Sequence, residues 1–389
     1  MVSILNYIRL FFSSASAGGI CLLVAAVLGV ILANSSLASN YFSLLHLPLG
    51  PLTFEGWVND VLMAIFFLLV GLEIKREILV GELNTNAKRL MPTIAACCGV
   101  MGPAIVYYLV AGHDPAFQPG WAIPTATDIA FAIGVVSLLG NRVPLGLTVF
   151  LTALAVIDDL IAVLVIAVFY TAQLHLEYLG IAALLVALLV FFNKTHKRNP
   201  LFYLIPGIAL WLSIHESGLH STMAGVILAM TIPSDSLKVG QLAPLDAWEQ
   251  ALSKWVTFLI LPLFGLVNAG VSFGDFGWAD LEHPVVLGVA LALFFGKQIG
   301  VFSSVFLMVK SGLVPMPKHA TWAQVYGVAL ICGVGFTMSL FVSILAFDPG
   351  LIQERAKVGI FIGSIISGLA GYTLLRVLNR REAFEPLDE

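Results

Sequence analysis

Long apolar stretches alternate with short polar segments along nearly the whole chain. An α-helix rises about 1.5 Å per residue, so about 20 apolar residues cross the hydrocarbon of a bilayer. On this criterion the pattern predicts about twelve spans, with approximate limits 17–33, 58–80, 91–111, 121–140, 145–171, 178–193, 201–214, 219–232, 255–271, 284–309, 325–347 and 357–379. The seventh and eighth stretches are short and weakly separated. The pattern therefore predicts an all-α polytopic membrane protein, with 1–389 as a single transmembrane domain.

Composition agrees with this prediction. The chain has 389 residues, of which 59% are hydrophobic and 11% charged, whereas a soluble domain has about 25% charged residues. The net charge of −4 is spread thinly and indicates no nucleic-acid partner. All four cysteines lie in apolar runs, which indicates small hydrophobic side chains and not a disulfide framework or a metal site.

Lysine and arginine are distributed unevenly between the predicted loops. If the N-terminus is cytoplasmic, 16 of the 19 fall in cytoplasmic segments, and only Arg355 and Lys357 fall in an outer loop. Lys297 remains inside a span. Because basic residues concentrate on the cytoplasmic side, we predict an even number of spans, with both termini cytoplasmic. The first apolar run could be a signal peptide, but its amphipathic lead and the later spans favour a retained helix.

Asp158 and Asp159 lie in the middle of the fifth span. A carboxylate at mid-membrane costs about 2.5–3.5 kcal/mol on insertion scales, so an ion or proton pathway is the usual reason for one. Adjacent helical residues point about 100° apart, so one can face a cavity while the other faces a neighbouring helix. Lys297, in the tenth span, is the natural partner for one of them. The alternative is a carboxylate pair that serves only helix packing.

Two spans contain helix-interrupting sequences. The fourth carries Pro124-Thr-Ala-Thr-Asp128, and the eleventh carries Cys332-Gly-Val-Gly-Phe-Thr337. Backbone groups without helical hydrogen bonds are tolerated at mid-membrane where they line a cavity. Interrupted helices at corresponding positions in the two halves of a transporter point to its binding site. Asp128 can offset the positive helix ends and Lys297 the negative ones. The alternative is a pair of kinked packing helices.

Other polar positions leave more than one interpretation. Glu73-Ile-Lys-Arg-Glu77 ends the second span and fits a cation funnel, a pH-sensing cluster or an ordinary solvated helix end. Asp60 fits either the ion pathway or a solvated helix start. Between the first two spans, residues 45–54 alternate around Gly50-Pro51 and fit a small outer hairpin or a loop. His215 and His220 are five residues apart, which is the wrong spacing for a zinc-protease motif.

These segments together resemble the NhaA family of bacterial sodium/proton antiporters over nearly the whole chain. The most specific motifs are Ala155-Val-Ile-Asp-Asp-Leu160 and Gly333-Val-Gly-Phe-Thr-Met-Ser339, together with residues 63–77, 120–134, 217–222, 261–270 and 296–297. Transporters of this family are among the examples on which the link between interrupted helices, inverted repeats and a binding site is based. The helix interruptions and the resemblance are therefore not independent evidence.

The resemblance implies twelve helices in inverted repeats, with the fourth and eleventh broken and crossing. It implies that Asp159 is the main cation ligand, that Asp158 helps to form the site and pairs with the lysine, and that Asp128, Thr127 and Lys297 support it. It implies a pH response at Glu73, Arg76, Glu77 and His220, and dimer contact through the hairpin 45–54. Glu249 also matches the family, but Gln250 and Ser253 stand where its best-known form has histidines, which leaves the pH of activation open.

With the resemblance, we therefore predict an electrogenic, pH-regulated antiporter of the bacterial inner membrane that expels Na⁺, and also Li⁺, in exchange for H⁺. Carboxylate oxygens suit a hard, small cation, and protons compete for the same oxygens. Na⁺ at Asp158 and Asp159 is then transported cargo, and no cofactor is expected. An intramembrane aspartyl protease would use Asp128 and Asp159, but its Gly-x-Gly-Asp signature is absent at both. A passive channel is disfavoured by the lysine in the site.

Overall fold

Each predicted span coincides with a helical segment of the computed structural model, which describes residues 16–81, 83–171, 174–235, 242–274 and 277–378. The segments are Ala17–Ala33, Phe54–Leu79, Lys88–Ala111, Gln118–Leu139, Leu145–Phe169, Leu176–Lys194, Leu201–Glu216, Met223–Thr231, Pro244–Asn268, Pro284–Lys310, Trp322–Ile331 with Phe336–Ala346, and Leu351–Leu378. Within the described residues, eight of them are each long and apolar enough to cross a membrane. Both chain termini, with Arg9, lie outside the described residues.

The fourth and eleventh spans are interrupted, as the sequence predicted. In the fourth, a 3₁₀ helix over Gln118–Thr125 gives way to extended backbone at Ala126 and Asp128 before an α-helix resumes at Ile129–Leu139. In the eleventh, Trp322–Ile331 and Phe336–Ala346 meet at an angle of 44°. Proline in the first break and glycines in the second explain the interruptions, since neither supports a continuous helix.

Close backbone contacts hold the helices together. A Cβ at Gly225 would lie 2.1 Å from the carbonyl oxygen of Ala64, so the eighth span packs directly on the second. A Cβ at Gly29 would lie 2.5 Å from the carbonyl oxygen of Leu266, which brings the first span against the ninth. Small residues at such crossings are typical of packing between membrane helices, because no hydrophobic effect drives helices together in lipid.

The ends of the spans are fixed by polar contacts. Lys75 Nζ donates hydrogen bonds to the carbonyls of Met230 (2.7 Å) and Ile232 (2.5 Å), where a cation stabilises the C-terminal end of the eighth span. We call this side of the bundle, which carries Lys75 and the segments 80–81, 83–85, 140–144, 195–200 and 311–321, the basic side. Between the first and second spans, strands Pro48–Leu49 and Leu52–Thr53 pair antiparallel, so the predicted hairpin is present.

The last helix corrects one prediction. Arg355 and Lys357 were expected in a loop, but the helix Leu351–Leu378 begins before them, and Lys357 is only 8% exposed. The apolar stretch of the sequence begins after these charged residues. The helix begins before them, since the backbone N–H of Glu354 donates a hydrogen bond to the carbonyl of Gly350, whose φ is +157°. Lys297 is therefore not the only buried cation, although Arg355 remains outside the apolar core and pairs with Asp280 at 2.6 Å.

Candidate functional site

Lys297 and Asp158 form an ion pair in the centre of the bundle. Nζ of Lys297 lies 2.7 Å from Oδ2 of Asp158, and both side chains are 0% exposed. π-helical turns, Ala292–Gly296 and Gln298–Phe302, flank Lys297 on either side. Such turns are frequent at functional sites. The pair neutralises two charges whose separate burial would be costly.

Asp159 faces a different space from its neighbour. With Thr152 and Val156 it lines a cavity of about 310 Å³, which also reaches Asp128 at the break of the fourth span. The spacing 152, 156, 159 places these side chains on one helical face, and Asp158 points away from it. Oδ1 of Asp159 and Oδ1 of Asp158 are buried and accept no hydrogen bond from the part of the chain that the structure describes. Each is an oxygen that can bind a cation or a proton.

The two interrupted spans bond to each other across their breaks. The backbone N–H of Asp128 donates to the carbonyl of Val334 (2.7 Å), and Thr127 Oγ1 donates to that of Cys332 (2.9 Å). In return, Oδ2 of Asp128 accepts hydrogen bonds from Thr337 N (3.0 Å) and Oγ1 (2.5 Å), and Oδ1 accepts from Phe131 N (2.9 Å). One carboxylate therefore caps the N-termini of two half-helices, where negative charge is favourable.

Four of the five residues expected to respond to pH lie together at the basic side. Arg76 bonds to Glu249 and also lies 3.2 Å from Oε1 of Glu77. Glu73, Arg76 and Glu77 line the same cavity as Asp159. The Arg76 side chain is 39% exposed, so this charged cluster marks the solvent end of the cavity.

An aromatic layer made of Phe67, Phe264 and Phe341 lies next to the cavity, on the side away from the charged cluster. The ring of Phe341 lies 5.5 Å from that of Phe67 and 6.3 Å from that of Phe264, and all three side chains are buried. Along the second span, Phe67 comes between Asp60 and Glu73. Each of the three rings is within one helical turn of a residue that lines the cavity, namely Phe66, Leu261 or Met338.

The fifth predicted residue, His220, lies beyond the aromatic layer. Its ring packs edge-on against Phe341 at 5.1 Å, and Nδ1 lies 2.8 Å from Thr222 Oγ1. Asp60 is on the same side, where its Oδ1 accepts a hydrogen bond from Ser221 (3.0 Å). The structure therefore does not bring His220 or Asp60 to the cavity that contains Asp159.

Two polar residues of the site were not singled out from the sequence. Thr337 donates twice to Asp128, as described above. Ser364, in the last span, lies 3.3 Å from the backbone N of Gly335 and 3.2 Å from that of Phe336, and its hydroxyl accepts both hydrogen bonds. A helix that starts at mid-membrane needs acceptors for its first N–H groups, and that requirement was the signal that could have pointed to both residues.

The described residues contain no group of three or more His, Cys, Asp or Glu side chains that could hold a metal ion. The candidate cation site consists of two carboxylates, Asp158 and Asp159, with the cavity on one side and a lysine on the other. Such a sparse set of charged ligands suits a cation that is bound and released in turn.

Comparisons with known proteins are consistent over nearly the full length. Residues 9–375 match the family model described as Na+/H+ antiporter 1. The chain is 51% identical over 380 residues to the Na(+)/H(+) antiporter NhaA of Caulobacter vibrioides, covering 97% of this chain and 92% of that protein. It is 48% identical over 378 residues to Na(+)/H(+) antiporter NhaA 1 of Brucella anthropi, covering 96% of each.

A similar fold is found among solved structures. The sodium proton antiporter MjNhaP1 from Methanocaldococcus jannaschii, solved at pH 8, matches with a TM-score of 0.54 and covers 98% of this chain and 99% of that one. The sequences are only 16% identical, so this likeness concerns the fold alone.

Proposed function

The chain belongs to the Na+/H+ antiporter 1 family, and from this premise we propose that its Na⁺/H⁺ exchange takes place at Asp158 and Asp159. The observation that carries the assignment is the position of Asp159. Its carboxylate lines the central cavity, and one of its buried oxygens has no hydrogen-bond partner among the described residues. A hard cation such as Na⁺ or Li⁺ prefers carboxylate oxygen.

Exchange follows from competition for these oxygens. A protonated Asp159 cannot hold Na⁺ with the same charge, and a sodium-bound Asp159 cannot hold the proton. Binding of either ion therefore excludes the other, and the pH sets which one is bound. Movement of one helix bundle against the other then exposes the site to the opposite side of the membrane.

Lys297 gives the site its charge balance. While the cavity holds no cation, Lys297 neutralises Asp158 at 2.7 Å. A cation that draws Asp158 toward Asp159 competes with Lys297 for the Asp158 carboxylate and weakens this pair. Release of one Na⁺ with uptake of more than one proton moves net charge, so we expect electrogenic exchange.

The direction in which the cavity opens indicates the side of the membrane that has access to Asp159 in this conformation. The cavity connects Asp159 with the charged cluster at the basic side, and we assign the closed side of the path to the aromatic layer. Because positive charge concentrates on the cytoplasmic face of bacterial inner membranes, we assign the basic side to the cytoplasm and this conformation to an inward-open state. Sodium then enters past Arg76 and leaves on the far side of the aromatic layer.

The test is Asp159→Asn in proteoliposomes, with the sodium-driven pH change as the measurement. Asn keeps the side-chain volume but carries no charge against Na⁺, so exchange should disappear while the protein remains folded and inserted. Asp348→Asn is the matched control, because it makes the same chemical change at an exposed position away from the cavity. If Asp159→Asn exchanged ions near the wild-type rate, as Asp348→Asn is expected to do, the assignment of Asp159 as the exchange site would be wrong.

A further inference from the structure

A second cavity lies on the basic side, away from Asp159 and the ion path. It has a volume of about 370 Å³ and lies between the start of the third span, the start of the fifth span and the loop before the eleventh. Among the residues that the structure describes, those that line it include two lysines, Lys88 and Lys318, and no carboxylate. We call this cavity the lysine groove.

Its floor is a stripe on the fifth span. Gly146, Val149, Phe150 and Ala153 line the groove at spacings of three and four residues, so they share one helical face. A helix rises about 1.5 Å per residue, so this stripe descends about 10 Å from the first turn of the span toward the bilayer centre. The face differs from the one formed by Thr152, Val156 and Asp159. The groove is therefore charged at the membrane surface and apolar below it.

The loop that carries Lys318 is seated closely on the fifth span. A Cβ at Gly146 would lie 3.0 Å from the carbonyl oxygen of Lys318 and 3.2 Å from its nitrogen. Glycine at 146 thus allows the loop to close over the helix start. Val314, Pro315 and Met316 of the same loop form the opposite apolar wall.

We propose that the lysine groove binds an anionic phospholipid of the leaflet on the basic side. Two ammonium groups at the surface complement a lipid phosphate, and an apolar trough that enters the bilayer fits the start of an acyl chain. The site is independent of the exchange carboxylates. A lipid bound there joins the start of the fifth span, which carries Asp159, to the loop that leads into the half-helix Trp322–Ile331.

The test compares binding of phosphatidylglycerol and phosphatidylcholine to the delipidated, full-length protein by native mass spectrometry. A Lys88→Gln/Lys318→Gln variant should bind phosphatidylglycerol about thirtyfold more weakly, from roughly fivefold for each lysine. Lys194→Gln/Lys254→Gln is the matched control, with the same loss of charge at exposed positions on the same side, and it should leave binding within about twofold. Phosphatidylcholine should bind weakly to all three proteins.

A second variant separates a lipid site from a phosphate site. Val149→Trp fills the trough without a change of charge and should also weaken binding of phosphatidylglycerol, whereas millimolar inorganic phosphate should not displace the lipid. The proposal fails if both lysine pairs weaken binding equally, or if phosphatidylcholine binds as tightly as phosphatidylglycerol. It also fails if inorganic phosphate displaces the lipid while Val149→Trp has no effect. If Val149→Trp does not fold, the comparison of the two double lysine variants still tests whether the lysine groove binds the lipid.

Discussion

At the scale of single residues, two adjacent carboxylates have different surroundings. Asp158 is bonded to Lys297, and Asp159 faces the cavity. The helical angle of about 100° between neighbours produces this difference from a sequence of two identical residues. One residue can therefore serve as a charge partner and the other as the ligand, which is the division of roles that we propose.

The first prediction concerns Lys297. Lys297→Ala should lower stability by about 3–5 kcal/mol, because it leaves Asp158 buried without its counter-charge. Lys297→Arg, which keeps the charge, should be tolerated better than Ala or Glu in both stability and transport. Thermal unfolding in detergent and transport in vesicles measure the two effects.

The double variant Asp158→Asn/Lys297→Ala provides the control. Removing both charges should restore much of the stability lost in Lys297→Ala, since the cost comes from the unpaired carboxylate. If Lys297→Ala changed neither stability nor transport, the counter-charge role would be wrong.

At the scale of helices, the crossing of the fourth and eleventh spans depends on one carboxylate. Asp128 accepts hydrogen bonds at the N-termini of Ile129–Leu139 and Phe336–Ala346. Both half-helices therefore begin at the same negative charge, inside the membrane, where water cannot take over the bonding.

The second prediction follows from that shared cap. Asp128→Ala should cost about 1 kcal/mol for the lost cap of its own helix, and about 1–3 kcal/mol more for each buried donor left without a partner. Thr337→Val removes one of those donors and should cost less. Thermal unfolding in detergent gives the comparison, and an equal or smaller loss in Asp128→Ala would contradict the shared cap.

The sequence predicted the spans and both breaks because each has a local signal. Hydropathy marks a span, and Pro124 or the Gly333-Val-Gly335 run marks a break. It did not identify Thr337 or Ser364 as partners, because contacts over 209 and 28 residues leave no local pattern. It misplaced Arg355 and Lys357 for a related reason: a helix can continue through charges that a hydropathy window excludes. The lysine groove likewise depends on three segments that are distant in sequence.

At the scale of the whole molecule, one cavity joins the proposed exchange site to the charged cluster at the basic side. Glu73, Arg76 and Glu77 line it with Asp159, and Glu249 binds Arg76. Any change of charge in this cluster therefore acts on the route by which we propose that ions reach Asp159. Positions 250 and 253 hold Gln and Ser, so the titratable acids of this cluster are the carboxylates of Glu73, Glu77 and Glu249.

The third prediction is the pH profile of sodium affinity. Apparent affinity should rise with pH, by about tenfold per unit where one proton competes with one Na⁺ at the site. Glu249→Gln should shift the midpoint between pH 6 and 9, because Arg76 loses one partner at the cavity mouth. Sodium-dependent exchange in proteoliposomes across that range is the measurement.

Glu177→Gln, an exposed substitution of the same kind, should leave the midpoint unchanged. An unaltered midpoint in Glu249→Gln would mean that competition at Asp159 alone sets the profile. A flat profile in the wild type would refute competition for a shared site.

The aromatic layer has an electrical consequence. On the proposed path, the cavity extends the solvent of the basic side inward to Asp159, so the transmembrane voltage does not fall evenly over the bilayer thickness. It falls mainly between the cavity and the opposite face of the membrane, where Phe67, Phe264 and Phe341 lie. A unit charge that crosses the full voltage gains or loses about 2.3 kcal/mol per 100 mV, so on this path most of that work is done beyond Asp159.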